Sequence, residues 1–168
     1  MYDFEMIGFC GKGGAGKDTA ANYLVGSHGY HKVAFADKVK EIARQFGWDG
    51  VSKEGKDRRL LQTLGTEVGR RYDPLIWVKA VEARIDQLRI GNPHLRVVVS
   101  DVRFQNEVRW IRSRGGIVLK VVGRGGLEGE AARHVSETEV DDIVPDEVVD
   151  NSPTVLAFAG QVVRAVDA

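Results

Sequence analysis

Nine residues, GKGGAGKDT from Gly11 to Thr19, carry the densest chemistry in the chain. They satisfy two templates at once. Gly11, Gly13 and Gly16 fit G-x-G-x-x-G, whereas Gly11, Gly16 and Lys17 fit G-x-x-x-x-G-K. The first pattern binds dinucleotides, and Asp37, about twenty residues on, could be its ribose-binding acid. The second wraps a triphosphate in backbone N–H groups, adds the positive end of a helix dipole, and brings the lysine ammonium to the β and γ oxygens. A dinucleotide fold has no use for Lys17, and the chain has little room for a second nucleotide-binding half. The triphosphate reading is therefore preferred. It makes Gly11, Lys12, Gly13, Gly14, Ala15, Gly16, Lys17, Asp18 and Thr19 the phosphate-binding residues.

Asp18 stands where such loops usually carry Ser or Thr. A carboxylate beside a triphosphate is repelled unless a cation lies between them, which makes Asp18 a candidate Mg²⁺ ligand, direct or through one water. The alternative is that it only stabilises the first helical turn, where acidic residues are favoured. Asp101, at the end of RVVVSD, is the second metal candidate, because folds of this kind collect ligands at the carboxyl ends of buried strands. Its plainer role is a helix N-cap. Phosphoryl chemistry also calls for arginine, whose fork pairs two donors with one phosphate. Arg70, Arg71, Arg103, Arg124 and Arg133 are candidates, with Arg103 and Arg124 favoured because each follows a strand.

These residues need a scaffold. MIGFC, HKVAFA, RVVVSD, GIVLKVV and EVVD read as five strands, the continuous apolar runs marking parallel strands covered on both faces. Helices are expected after Gly16, after Asp37 up to Gly47, over 56–71 and after Pro74 by apolar spacing, over 105–113, and from about Pro153, with Ser152 as N-cap. Strands alternating with helices predict an α/β fold, a five-stranded parallel sheet with helices on both faces. One domain is expected over 1–168, with a helical section at about 37–90 and a glycine-rich flap at about 123–142.

Composition narrows the partners. Lys plus Arg number 24 and Asp plus Glu number 24, which argues against a surface that coats long nucleic acid. Hydrophobic residues at 43% and charged residues at 29% are ordinary for a folded domain and exclude a disordered chain. Cys10 is the single cysteine, so no internal disulfide can form, and the N-terminus lacks a basic, apolar leader. A cytoplasmic protein without membrane insertion is the expectation; its oligomeric state, a homodimer included, is left open.

Five segments in this order, GKGGAGKDT, FADKVKE, LLQTLGTEVGR, VVVSDVRFQNE and HVSETE, resemble the bacteriophage-type deoxynucleoside monophosphate kinases, relatives of adenylate kinase among the P-loop kinases. The resemblance runs from about Ile7 to Glu139. It implies transfer of the ATP γ-phosphoryl group to a deoxynucleoside 5'-monophosphate with Mg²⁺, for DNA precursor synthesis, on a core sheet with a helical monophosphate-binding section and a lid. It also implies small nucleotides as partners. Carried over to this chain, Lys17, Arg103, Arg124 and Arg133 would be catalytic, and Asp18 and Asp101 would serve the metal. Asp37, Gln62, Thr66, Arg70, Arg103, Phe104, Glu107, His134 and Glu137 would fall on the acceptor side. Phe104 could stack on the acceptor base or only pack the start of a helix. His134, Ser136 and Glu137 could do no more than cap and hinge the lid. Two alternatives stay open: a P-loop kinase of another phosphorylated metabolite, of the phosphomevalonate or dephospho-coenzyme A type, and an NTPase switch with no acceptor.

Overall fold

The computed structural model describes residues 5–123, 125, 134–152 and 154–167. The chain runs β1 (Met6–Cys10), α1 (Lys17–His28), β2 (His31–Val33), α2 (Ala36–Gln45), α3 (Gly55–Gln62), a π-helical stretch (Thr63–Arg70) and α4 (Ile76–Gly91). It continues through β3 (Val97–Val102), α5 (Gln105–Ser113), β4 (Ile117–Val122), α6 (Val135–Thr138) with a 3-10 turn (Glu139–Asp142), β5 (Glu147–Asp150) and α7 (Val155–Asp167). The strands form one parallel sheet in the order β2-β3-β1-β4-β5.

Side chains alternate across the sheet, and that period of two builds two cores. Met6, Cys10, Val97 and Val99 face one way, onto Val39 of α2, Trp77 and Val81 of α4, and Val108 and Ile111 of α5. Ile7, Phe9 and Val98 face the other way, onto Ala20 and Leu24 of α1 and Phe158 and Val162 of α7. Because both faces are covered, strand residues are apolar whichever way they point, which explains the valine run. Each fully buried valine there contributes about 1.5–3 kcal/mol of burial.

The register places the functional edge. β1 pairs with both β3 and β4, and Cys10 lies opposite Val102. The glycine loop and the Asp101–Arg103 segment therefore leave the sheet side by side at its carboxyl end, where the strand order reverses and α/β sheets bind ligands.

Three local expectations are corrected. β2 stops at Val33 rather than reaching Ala36, because the next three N–H groups are drawn to carboxylates: Ala34 to Asp37, and Phe35 and Ala36 to Asp101. The helix expected over 56–71 is α3 followed by π-helix, a rare form at this length. α7 begins at Val155, capped by Thr154, whose Oγ1 accepts from Ala157 N at 3.3 Å; Ser152 instead donates twice to Asp150.

The π-helical stretch sits against Trp77. Its indole Nε1 donates to Gly65 O at 2.6 Å, and a Cβ at Gly69 would fall 2.2 Å from Trp77 Cζ2. Gly69→Ala should destabilise the protein by about 1–3 kcal/mol through overpacking. A Cβ at Gly65 would meet only Val39 at 3.7 Å, so Gly65→Ala should be near neutral. Urea unfolding of the two variants checks the contrast; equal stabilities would show that the indole yields.

Candidate active site

The loop after β1 turns back on itself, with Ala15 N donating to Lys12 O at 3.2 Å, and delivers the chain into α1 through Gly16. Gly16 has φ 106° and lies so close to Asn151 that a Cβ would sit 2.3 Å from Nδ2, a position only glycine can hold. Asn151 Nδ2 donates to Ala15 O at 2.9 Å and fixes the loop from β5's side. Among the described residues no side chain caps α1, and a helix N-terminus of this kind is suited to an anion.

Lys17 arches over this loop. Its Nζ donates to Gly11 O and Lys12 O, each at 2.7 Å, and the residue is only 8% exposed. Burial, with repulsion from Arg103, pulls its pKa down to about 8 against the opposing pull of Asp101 and Asp18. Lys17 and Arg103 are thus electrostatic neighbours across the gap between β1 and β3. Lys12 is tied to Asp141 by an ion pair of 2.6 Å, linking the loop to the turn after α6.

Beside the loop lies a cavity of about 190 Å³, walled by Phe35, Ala36 and Val39 of the α2 start, by α3 and the π-helical stretch, and by the β3–α5 turn. Of the residues expected on the acceptor side, Gln62, Thr66, Arg70, Arg103, Phe104 and His134 all line it. Burial lowers the pKa of Arg103, although Asp101 and Glu107 oppose the shift. Burial also lowers that of His134, with Arg103 assisting and Glu67 opposing, which favours neutral imidazole at neutral pH. The Arg70 guanidinium lies 3.8 Å from the centroid of the Phe104 ring. Its Nη1 is buried with no hydrogen-bond partner among the described residues.

Two residues expected on the acceptor side, Asp37 and Glu107, stand outside the cavity, and the two metal candidates, Asp101 and Asp18, already hold partners. Asp37 does not line the cavity: it sits in the first turn of α2 and accepts from Ala34 N at 2.8 Å. Glu107 is fully buried beneath the cavity wall and holds Arg70 and the β3–α5 turn instead of facing the acceptor. Asp101 lines the cavity, but both its oxygens are engaged, Oδ1 by Phe35 N at 2.7 Å and Oδ2 by Ala36 N at 2.9 Å. It thereby ties down the start of α2, whose N-cap residue is Phe35. Asp18 forms an ion pair of 2.6 Å with Lys32, its side chain 72% exposed. Burial would raise its pKa, but Lys32 and the Ser100 hydroxyl together hold it below the ordinary value. Arg124, Arg133 and the side chain of Glu137 lie outside the described residues.

Lys40, Lys53 and Arg58 also line the cavity and were missed in the sequence, together with Trp77 and Gly65. Arg58 is near enough to Arg103 to lower its pKa, so like charges converge on one small space. The signal for Lys53 and Arg58 in the sequence is the basic cluster in KEGKDRR, which reads as a solvated helix surface, whereas Lys40 and Gly65 lie within FADKVKE and LLQTLGTEVGR.

Residues 51–162 match the deoxynucleotide monophosphate kinase family. The chain belongs to that family. The match takes in every cavity residue from Lys53 to His134 and begins after the glycine loop. A protein of Acanthamoeba polyphaga mimivirus, provisionally named deoxynucleotide monophosphate kinase, is 32% identical over 96% of each chain. Among solved structures, shikimate kinase from Aquifex aeolicus superposes with a TM-score of 0.54 at 13% identity over 96% of each chain. Dephospho-CoA kinase from Campylobacter jejuni does so with 0.54 at 17% identity over 97% of this chain and 96% of its own. These two likenesses show the P-loop kinase fold, and the family match makes the chain a nucleotide kinase, a phosphotransferase. Among the described residues no helix is long and apolar enough to cross a membrane.

Asp101 yields the prediction for this kinase's site. Asp101→Asn turns one of two engaged acceptors into a donor and strands a backbone N–H, which should cost about 1–3 kcal/mol of stability. Chemical denaturation measures it. Unchanged stability, with a raised Mg²⁺ requirement, would return Asp101 to the metal.

Proposed function

We propose that the chain transfers the γ-phosphoryl group of ATP to a deoxynucleoside 5'-monophosphate held in the cavity between α3, the π-helical stretch and the β3–α5 turn. One observation carries the reading: the buried Lys17 of the phosphate loop and the half-buried Arg103 of the cavity are cations near enough at the carboxyl end of the sheet for Arg103 to depress the Lys17 pKa. A phosphoryl group passing between donor and acceptor would neutralise both. Loop N–H groups and the α1 N-terminus would hold the donor phosphates, with Lys17 exchanging its two carbonyl partners for phosphate oxygens.

An acceptor monophosphate is already an anionic nucleophile at neutral pH, so no side-chain base is required. Catalysis then rests on alignment and charge neutralisation. Arg103, with Arg58 and Lys53 opposite, would grip the acceptor phosphate, while Phe104, Gln62 and Thr66 face the rest of the nucleotide. Arg124 and Arg133 are assigned to the lid on sequence grounds, where they would help to exclude water.

Magnesium would supply neutralisation of the donor's β and γ charge. It keeps several waters and takes one or two carboxylates besides phosphate oxygens, a demand the exposed carboxylate of Asp18 fits. Lys32 would hold that carboxylate in place beside the loop.

ADP release in the presence of ATP and Mg²⁺ should rise sharply when a deoxynucleoside monophosphate is added. Equal rates with and without every common acceptor would leave an NTPase switch as the reading. Arg103→Ala should raise the acceptor KM and lower kcat while ATP affinity changes little, because Arg103 lines the acceptor cavity. Weakened ATP binding with an unchanged acceptor KM would move Arg103 to the donor side. In a magnesium titration, Asp18→Asn should need more Mg²⁺ for half-maximal activity than wild type; superimposed curves would reduce Asp18 to a helix-terminus residue.

A further inference from the structure

Glu107 is 0% exposed, and the transfer chemistry has no need of a buried carboxylate. Removing one from water is costly unless every oxygen is engaged. Here both are. Oε1 accepts from Arg70 Nη2 at 2.5 Å, and Oε2 accepts from Arg103 N at 2.7 Å and Phe104 N at 3.1 Å. The three partners come from two separate parts of the chain: Arg70 ends the π-helical stretch, while Arg103 and Phe104 form the β3–α5 turn. All three line the acceptor cavity, which Glu107 itself does not reach.

Capping α5 alone would not require this arrangement. A Ser, Thr or Asp at position 104 would satisfy the helix N-terminus at the surface. The charge matters for the arginine. Glu107 fixes one end of the Arg70 guanidinium, which then lies against the Phe104 ring at 3.8 Å, so carboxylate, guanidinium and ring form one stacked unit.

We propose that Glu107 is the positioning residue of the acceptor site, clamping the π-helical wall that carries Arg70 to the turn that carries Arg103 and Phe104. The cavity then opens to the acceptor at a set width. This rests on the acceptor reading given above. In Glu107→Gln an oxygen remains for the two backbone N–H groups, but the charge that holds Arg70 is lost.

Two measurements on the full chain test it. In ¹⁵N NMR of the free protein, the Arg70 guanidinium should exchange slowly with water in wild type and quickly in Glu107→Gln, while the backbone spectrum stays native-like. In steady-state kinetics Glu107→Gln should raise the acceptor KM about ten- to a hundredfold, the scale of a displaced positioning contact, and leave the ATP KM unchanged. Arg70→Met releases the same clamp from its other end, so it must show the same split, and the double variant must be no worse than Arg70→Met alone. It also replaces Glu107→Gln as the test if that variant does not fold. An unaltered Arg70 signal, equal rises in both KM values, or additive effects in the double variant would overturn the proposal. Absence of acceptor-dependent ADP release in wild type would instead overturn the functional reading, and the NMR comparison would still decide whether Glu107 holds Arg70.

Discussion

Two cations at the carboxyl end of the sheet, Lys17 at the start of α1 and Arg103 just after β3, set the terms for this molecule. Lys17 and Arg103 lie close enough that Arg103, together with burial, lowers the pKa of Lys17 to about 8. Such an arrangement costs free energy in the free protein and is repaid by an anion. It stands because the sheet is rigid: β1 and β3 are paired in parallel, with one register shift between Gly8 and Cys10, and covered on both faces. Lys17 finds interim partners in two loop carbonyls, and Asp101 sits nearby with its charge engaged by the α2 N-terminus. The sheet thus holds like charges near each other where the transferred phosphoryl group is proposed to pass.

Carboxylates do much of the holding, and Asp37, Asp101 and Glu107 all act as fasteners. Asp37 closes its own turn, Asp101 pins the entry of α2, and Glu107 ties two cavity walls. Each accepts from backbone N–H groups that strands and helices leave unpaired. Asp18 is the exposed exception, balanced by Lys32.

The framework was legible in the sequence because local chemistry determines it. A valine-rich run ended by Asp101, a glycine loop ended by Lys17, and apolar spacing after Pro74 each favour one local structure. What escaped depends on partners far along the chain. Asp101 bonds Phe35 and Ala36 across 66 and 65 residues, and Arg70 bonds Glu107 across 37, separations on which no periodicity bears. The π-helical stretch escaped for a related reason: its apolar spacing is that of an ordinary helix, and its partners Trp77 and Glu107 come from later elements. Lys53 and Arg58 looked like surface charges, since a basic side chain beside a cavity and one in solvent have the same sequence.

The central claim is that Lys17 and Arg103 flank a single path for the phosphoryl group. A bisubstrate analogue, adenosine and deoxynucleoside joined through five phosphates, tests this directly by calorimetry. Joining the two halves should give affinity about 10²–10⁴ times that of ATP or the monophosphate alone, since one end raises the effective concentration of the other. An analogue that binds no more tightly than ATP would show that the two pockets do not share a phosphoryl path, and would contradict the account.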